Sequence, residues 1–244
     1  MIEIFDAIVY QPLYNTLIFF YNIIPGHDFG VAIILTTLAL KAVLIPLSKK
    51  QIESQKKMQE LQPKIKEIQQ KHKDNKEKQT KALMEFYKEN KTNPFSGCLP
   101  LIIQLFFLIA IYRVIINISQ AGFVVNPGDL YSFVSDPGAI NHIFLRFMDL
   151  TKPNYVLAFL SAIAQYYQTK MLFQSSNMLN KPQGEASAQP DFAAIMNKQM
   201  LYLGPGLTFF IGVTFPAALA LYWLFSTLFM IFQQMFIFKP KQEK

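Results

Sequence analysis

A primary amine lies inside hydrocarbon. Lys41 is the only charged residue between Gly30 and Leu47, an apolar run of about 18 residues, the length of a transmembrane helix. An ammonium at the centre of such a helix costs about 2.5–3.5 kcal/mol on insertion scales. A cation there can hold water, attract an acidic group or carry the coupling charge of a transporter. It can also snorkel: Lys41 stands about 6 residues before the end of the run, roughly 9 Å of helix rise from the interface. Thr36 and Thr37 in the preceding turn extend it into a polar stripe, which favours a functional site.

Other apolar runs carry polar residues at matching depth. Gln104 is near the start of one run. Gln165 and Gln168 are toward the end of the next. Gln233 and Gln234 are near the end of the last, with Ser226 and Thr227 nearer its middle. The opposite halves are Ile, Leu, Phe and Ala, apart from Arg113 and Asn117. Amides in lipid must face each other or water. A cavity open to one side and closed to the other fits this pattern. A through-channel would need polar residues along its whole path. Interhelical hydrogen bonds, worth roughly 0.6 kcal/mol each, are the alternative for any single glutamine.

The elements that must hold these residues follow from composition. The chain is 52% hydrophobic and 16% charged, with mean hydropathy +0.22, which selects a polytopic membrane protein over a soluble domain. A single cysteine, Cys98, excludes an internal disulfide framework. His27, His72 and His142 are far apart, and no phosphate-loop, dinucleotide or zinc-protease motif appears. No cofactor or metal is therefore expected, nor an intramembrane enzyme, because no Asp, Glu or His stands mid-span.

The expected fold is all-α: five transmembrane helices, an N-terminal interfacial helix and a cytoplasmic helical hairpin. Residues 1–28 form the interfacial helix, broken by polar residues and ended at Pro25-Gly26, with a tilted extra span as the alternative. The spans are 29–47, 97–118, 154–173, 198–214 and 215–238. The last two come from one apolar block of about 58 Å, too long for a single crossing, so a tight turn is placed near Thr214-Phe215-Pro216. Residues 48–96 are the hairpin, with a seam of Met58, Leu61, Ile65 and Ile68, a second face at Leu83, Met84, Phe86 and Tyr87, and Pro63 breaking or kinking its first arm. Residues 119–153 form an extracytoplasmic loop and 174–197 a polar cytoplasmic loop. Residues 239–244 are a short tail. Lys-rich ends at 48–96 and 239–244 put both inside and the N-terminus outside. The hairpin lysines read first as a solvated face, with anionic lipid or ribosomal RNA as functional alternatives.

The chain resembles the YidC family of membrane protein insertases over nearly its whole length. The resemblance rests on Gly30 to Pro46 with its cation, Leu61-Gln62-Pro63-Lys64-Ile65, Asn93-Pro94 through Pro100 to Gln104, Asp149-Leu150-Thr151, Phe215-Pro216 through Tyr222-Trp223, and Gln233-Gln234. It implies a five-span core around a hydrophilic groove open to cytoplasm and lipid. By position, Lys41 replaces the family's usual Arg, Thr37 and Trp223 match substrate-contact positions, and Gln104 matches a groove-lining one. Phe106 stands where Pro is common, and Thr227 where Asn is. Candidate groove residues are thus Lys41, Thr37, Gln104, Trp223, Tyr222, Thr227, Gln165 and Gln233.

The resemblance also implies a minimal form, without a large extracytoplasmic domain or long basic tail, in a bacterial cytoplasmic membrane. Its expected role is a non-enzymatic insertase and foldase. Nascent membrane proteins and the lipid bilayer are the expected partners, with the ribosome and a Sec-type translocon as further candidates. The competing readings are a small-solute transporter using Lys41, which would show inverted repeats, and a membrane scaffold acting through the hairpin.

Overall fold

Asp28 starts the first membrane helix. Its Oδ1 accepts from the Gly30 and Val31 amides at 2.8 and 3.1 Å, satisfying two of the orphan N–H groups that open an α-helix. In this computed structural model, which describes residues 2–93, 99–174 and 192–237, that helix is α3 (Phe29–Val43). It is preceded by a helical stretch of α1 (Ile2–Phe5), a π-helical turn (Asp6–Tyr10) and α2 (Gln11–Ile23). The stretch ends at a turn with Gly26 at φ +85°, a conformation that suits glycine.

Beyond α3 the chain bends by 66° at Leu44 into α4 (Ile45–Lys71). Pro46 occupies the first turn of α4, where its missing N–H goes unneeded. α4 then continues as one helix through Pro63, so that proline does not break the arm. α5 (Lys76–Glu89) is capped by Asn75, whose Oδ1 accepts from the Lys78 amide. It runs antiparallel to α4: Gln79 donates to the Gln69 carbonyl and Lys57 to that of Asn90. Of the expected seam only Ile65 is buried; Met58, Leu61 and Ile68 are half-buried.

The remaining helices are α6 (Leu99–Gln120), α7 (Tyr155–Gln174), α8 (Phe192–Thr214) and α9 (Ala217–Ile237). α8 and α9 part at Phe215 and Pro216, because Pro216 cannot continue α8. α7 lies close to both neighbours. Gly212 of α8 sits against Ala158, and Ser161 donates to the Ala220 carbonyl of α9 at 3.0 Å. Between α6 and α7 the chain forms a small antiparallel hairpin, β1 (Ile143–Phe144) and β2 (Met148–Asp149). This connection is stitched to the N-terminal stretch. Asn15 donates to the Asp129 carbonyl and accepts from the Tyr131 amide, and the Tyr21 hydroxyl accepts from the Asn141 amide.

The core gathers Tyr14, Leu17, Ile18, Phe29, Ile33, Ile111, Val114, Ile118, Leu221 and Tyr222. Among the described residues, α6 and α9 are long and apolar enough to cross a membrane, and α3 with the start of α4 makes a third, bent candidate. The apolar part of α8, Leu201–Thr214, is shorter. The protein is an all-α membrane protein, with two to three such candidate spans among the described residues. Most of the Asn93 to Cys98 motif, the polar linker after Gln174 and the 239–244 tail lie outside the described residues.

Candidate functional site

Lys41 is 7% exposed and sits in the last turn of α3. Its ammonium donates to Gln104 Oε1 of α6 at 3.0 Å, and Ser226 Oγ of α9 donates to the same oxygen at 3.0 Å. One amide carbonyl thus ties three helices. Among the described residues the cation is matched by no carboxylate, only by a neutral acceptor. Both lone pairs of Gln104 Oε1 are used, while its Nε2 is buried without a partner among the described residues.

A cavity of about 30 Å³ opens beside this cluster, lined by Lys41, Leu44, Leu47, Ser48, Gln51, Ile103, Gln104 and Met230. At about 10–15 Å³ per water it has room for two. Gln51 of α4 is buried there, and its Nε2 also lacks a partner among the described residues. The walls therefore offer an ammonium and two amide NH₂ groups. They suit acceptors: water, a carbonyl or a carboxylate.

A second polar contact joins α7 and α9. Trp223 Nε1 donates to Gln165 Oε1 at 3.2 Å, and Gln165 Nε2 donates to Gln168 Oε1 at 3.1 Å. Thr227 is buried one turn after Trp223. Tyr222 is fully buried, its hydroxyl beside Ser226 without a well-formed hydrogen bond. Thr37 turns its hydroxyl back to the Ile33 carbonyl at 2.7 Å. Gln233 and Gln234 are buried farther along α9; among the described residues, Gln233 Oε1 and both amide atoms of Gln234 have no partner.

Of the residues expected from sequence, the structure joins Lys41 to Gln104 and Gln165 to Trp223. Thr37, Tyr222, Thr227 and Gln233 are buried without a described hydrogen bond to those pairs. Ser48 and Gln51 escaped the sequence reading because the hairpin was read as solvated. Their signal was spacing: Leu44, Leu47, Ser48 and Gln51 share one face at steps of three and four.

The polar residues at the other end of α6 have separate partners. Arg113 pairs with Asp6 at 2.5 Å and lies over the Phe5 and Tyr10 rings at 5.6 and 5.3 Å. Asn117 donates to the Tyr10 hydroxyl. The N-terminal stretch thus closes over the end of α6 away from Lys41.

Apolar helices enclosing a cation and amides, with the cation on neutral oxygen, define a helical membrane protein built around a buried polar cluster. The chain belongs to the 60Kd inner membrane protein family, whose model matches residues 19–244. It is 35% identical over 224 residues to the membrane protein insertase YidC of Oceanobacillus iheyensis, covering 90% of this chain and 78% of that one. It is 31% identical to the membrane protein insertase YidC of Fusobacterium nucleatum, covering 95% and 97%. Against the longer YidC of Psychromonas ingrahamii it is 30% identical and covers 96% of this chain and 36% of that one.

Proposed function

We propose that this inner-membrane protein is a membrane protein insertase and foldase. Its donor-rich cavity carries the polar segment of a nascent chain into the bilayer while the adjoining helices release the apolar segment to lipid. The observation that carries this reading is the Lys41 ammonium held on Gln104 Oε1 beside a cavity lined by unpartnered amide donors. A cation already paired to a carboxylate would have no attraction left for substrate. Held on a neutral oxygen, it attracts acidic groups weakly enough to release them. No covalent step is involved.

The proposal includes five crossings, with α7 and α8 joining the three candidate spans; α7, at 20 residues, is about 30 Å long. It places the α4–α5 hairpin in the cytoplasm and the 119–153 connection outside, following the lysine distribution. The cavity as it stands admits water, not a polypeptide. Substrate enters when α4 swings aside at Leu44, carrying Ser48 and Gln51 away from Lys41. The ribosome and a Sec-type translocon are proposed as upstream partners at the hairpin side.

The test is photocrosslinking from Met230, a cavity residue, replaced by a diazirine amino acid. Ribosome-bound nascent chains of a single-span membrane protein should form adducts through their polar tail. Adducts absent at every chain length, with a folded protein, would overturn the insertase reading.

A further inference from the structure

The tip of the β1–β2 hairpin shows three exposed side chains on a strained turn. Leu145 and Arg146 have φ of 50° and 67°, the left-handed region, which side chains other than glycine rarely adopt. Leu145 is 52% and Phe147 73% exposed, and Arg146 is exposed between them. Strain of this kind persists only where the surroundings over-determine it.

Here the surroundings are the start of a membrane helix. The Leu145 amide donates to Asp28 Oδ2 at 2.7 Å, while the other oxygen of the same carboxylate caps α3. Phe144 is buried against Gly30, where any Cβ would overlap its ring. The hairpin base is tied as well: the Leu150 amide donates to the His142 carbonyl, and Thr151 Oγ1 to Asp149 at 2.6 Å. The tip is therefore held level with the first turn of α3. α7 begins soon after β2 and exposes Tyr155 and Val156 in its own first turn.

We propose that this tip is a membrane anchor: Leu145 and Phe147 enter the lipid interface beside α3, and Arg146 lies on lipid phosphates. One exposed apolar side chain needs no explanation. Two large ones flanking a cation, at interfacial level, reproduce the pattern of side chains that bury an apolar body and present a polar end to headgroups. Lipid is the occupant because the lock to α3 fixes the depth and because Arg146 complements phosphate. The inference does not depend on the insertase reading.

The test places an environment-sensitive fluorophore at Phe147→Cys, with Cys98→Ser, in the full chain reconstituted into phosphatidylethanolamine–phosphatidylglycerol vesicles at high lipid excess. The expected result is blue-shifted emission and several-fold stronger quenching by headgroup-level spin-labelled lipid than by aqueous iodide. Water-like emission with iodide quenching dominant would overturn the anchor. So would shielding that vanishes as protein is diluted in lipid, since a second copy would then be the cover. If the Phe147 variant does not fold, Arg146→Cys gives the same reading from the adjacent exposed position.

Discussion

At the residue scale, the Lys41 ammonium is buried and, among the described residues, is matched by the neutral oxygen Gln104 Oε1 and by no carboxylate. A buried cation with no carboxylate partner carries a desolvation cost that a neutral chain of similar volume does not. Lys41→Met should therefore leave thermal unfolding unchanged or raise it while insertion falls; a large loss of stability would show that the cation is structural. Gln104→Leu acts in the opposite sense. It strips the ammonium of its acceptor and should destabilise by roughly 1–3 kcal/mol, read by thermal unfolding in detergent. Combining the two should recover most of that loss, because the charge that needed the acceptor is gone.

These pairings were half legible. Lys41, Gln104 and Gln165 stood out as polar residues in apolar runs, where expensive groups must find partners, while Trp223 came only from the family resemblance. Which partner each takes was not legible. Lys41 and Gln104 are 63 positions apart, and Asp6 and Arg113 are 107 apart. Nothing local encodes a contact set by how helices cross.

At the element scale, close approaches and one bend organise the bundle. A Cβ on Gly212 would lie 2.7 Å from Ala158 Cβ, so Gly212→Leu should separate α7 from α8 and cost about 1–3 kcal/mol. Gly204, on the same helix, has open space, and Gly204→Ala should be tolerated; equal unfolding temperatures for both variants would refute the distinction. The turn between α8 and α9 was readable from Pro216 and from the length of the apolar block. The bend at Leu44 was not. Pro46 signalled a helix start, but the apolar run continues across it, and the sequence reading carried the span to residue 47. If α4 must swing for substrate to enter, then a short cross-link between Gln51→Cys and Met230→Cys, which line one cavity, should block insertion, and reductant should restore it.

The 119–153 connection has its own pH signature. Burial pushes the Asp149 carboxyl up, but hydrogen bonds from the Thr151 hydroxyl and amide and from Lys152 outweigh it and hold the carboxyl below its usual range. His142 lies 3.9 Å away. A depressed folded value means the stabilisation is complete above about pH 4, the unfolded carboxylate range, and is lost as pH falls through the folded value. Asp149→Asn should flatten that acid limb, measured by unfolding against pH.

At the scale of the whole molecule, the two ends of the bundle are built differently. Asp6, Tyr10 and the Asn15 contacts seal the N-terminal end, while α4 overlies Lys41 at the opposite end. Overall class was legible from composition and from polar depth, because lipid allows few solutions for a chain this apolar. The tight seal by the N-terminal stretch was not, since its π-helical turn and its partners in the distant connection have no local signature.

The role of the buried cation is decided by insertion itself. Purified protein in liposomes would be given a single-span substrate with an acidic N-terminal tail, comparing wild type, Lys41→Arg, Lys41→Ala and empty liposomes. The account predicts insertion that requires the protein, persists with Lys41→Arg and falls about tenfold or more with Lys41→Ala, a loss of about 1.4 kcal/mol or more in the insertion barrier. Protein-dependent insertion unchanged by Lys41→Ala would contradict the role of the buried cation, and no protein-dependent insertion by folded protein would contradict the function.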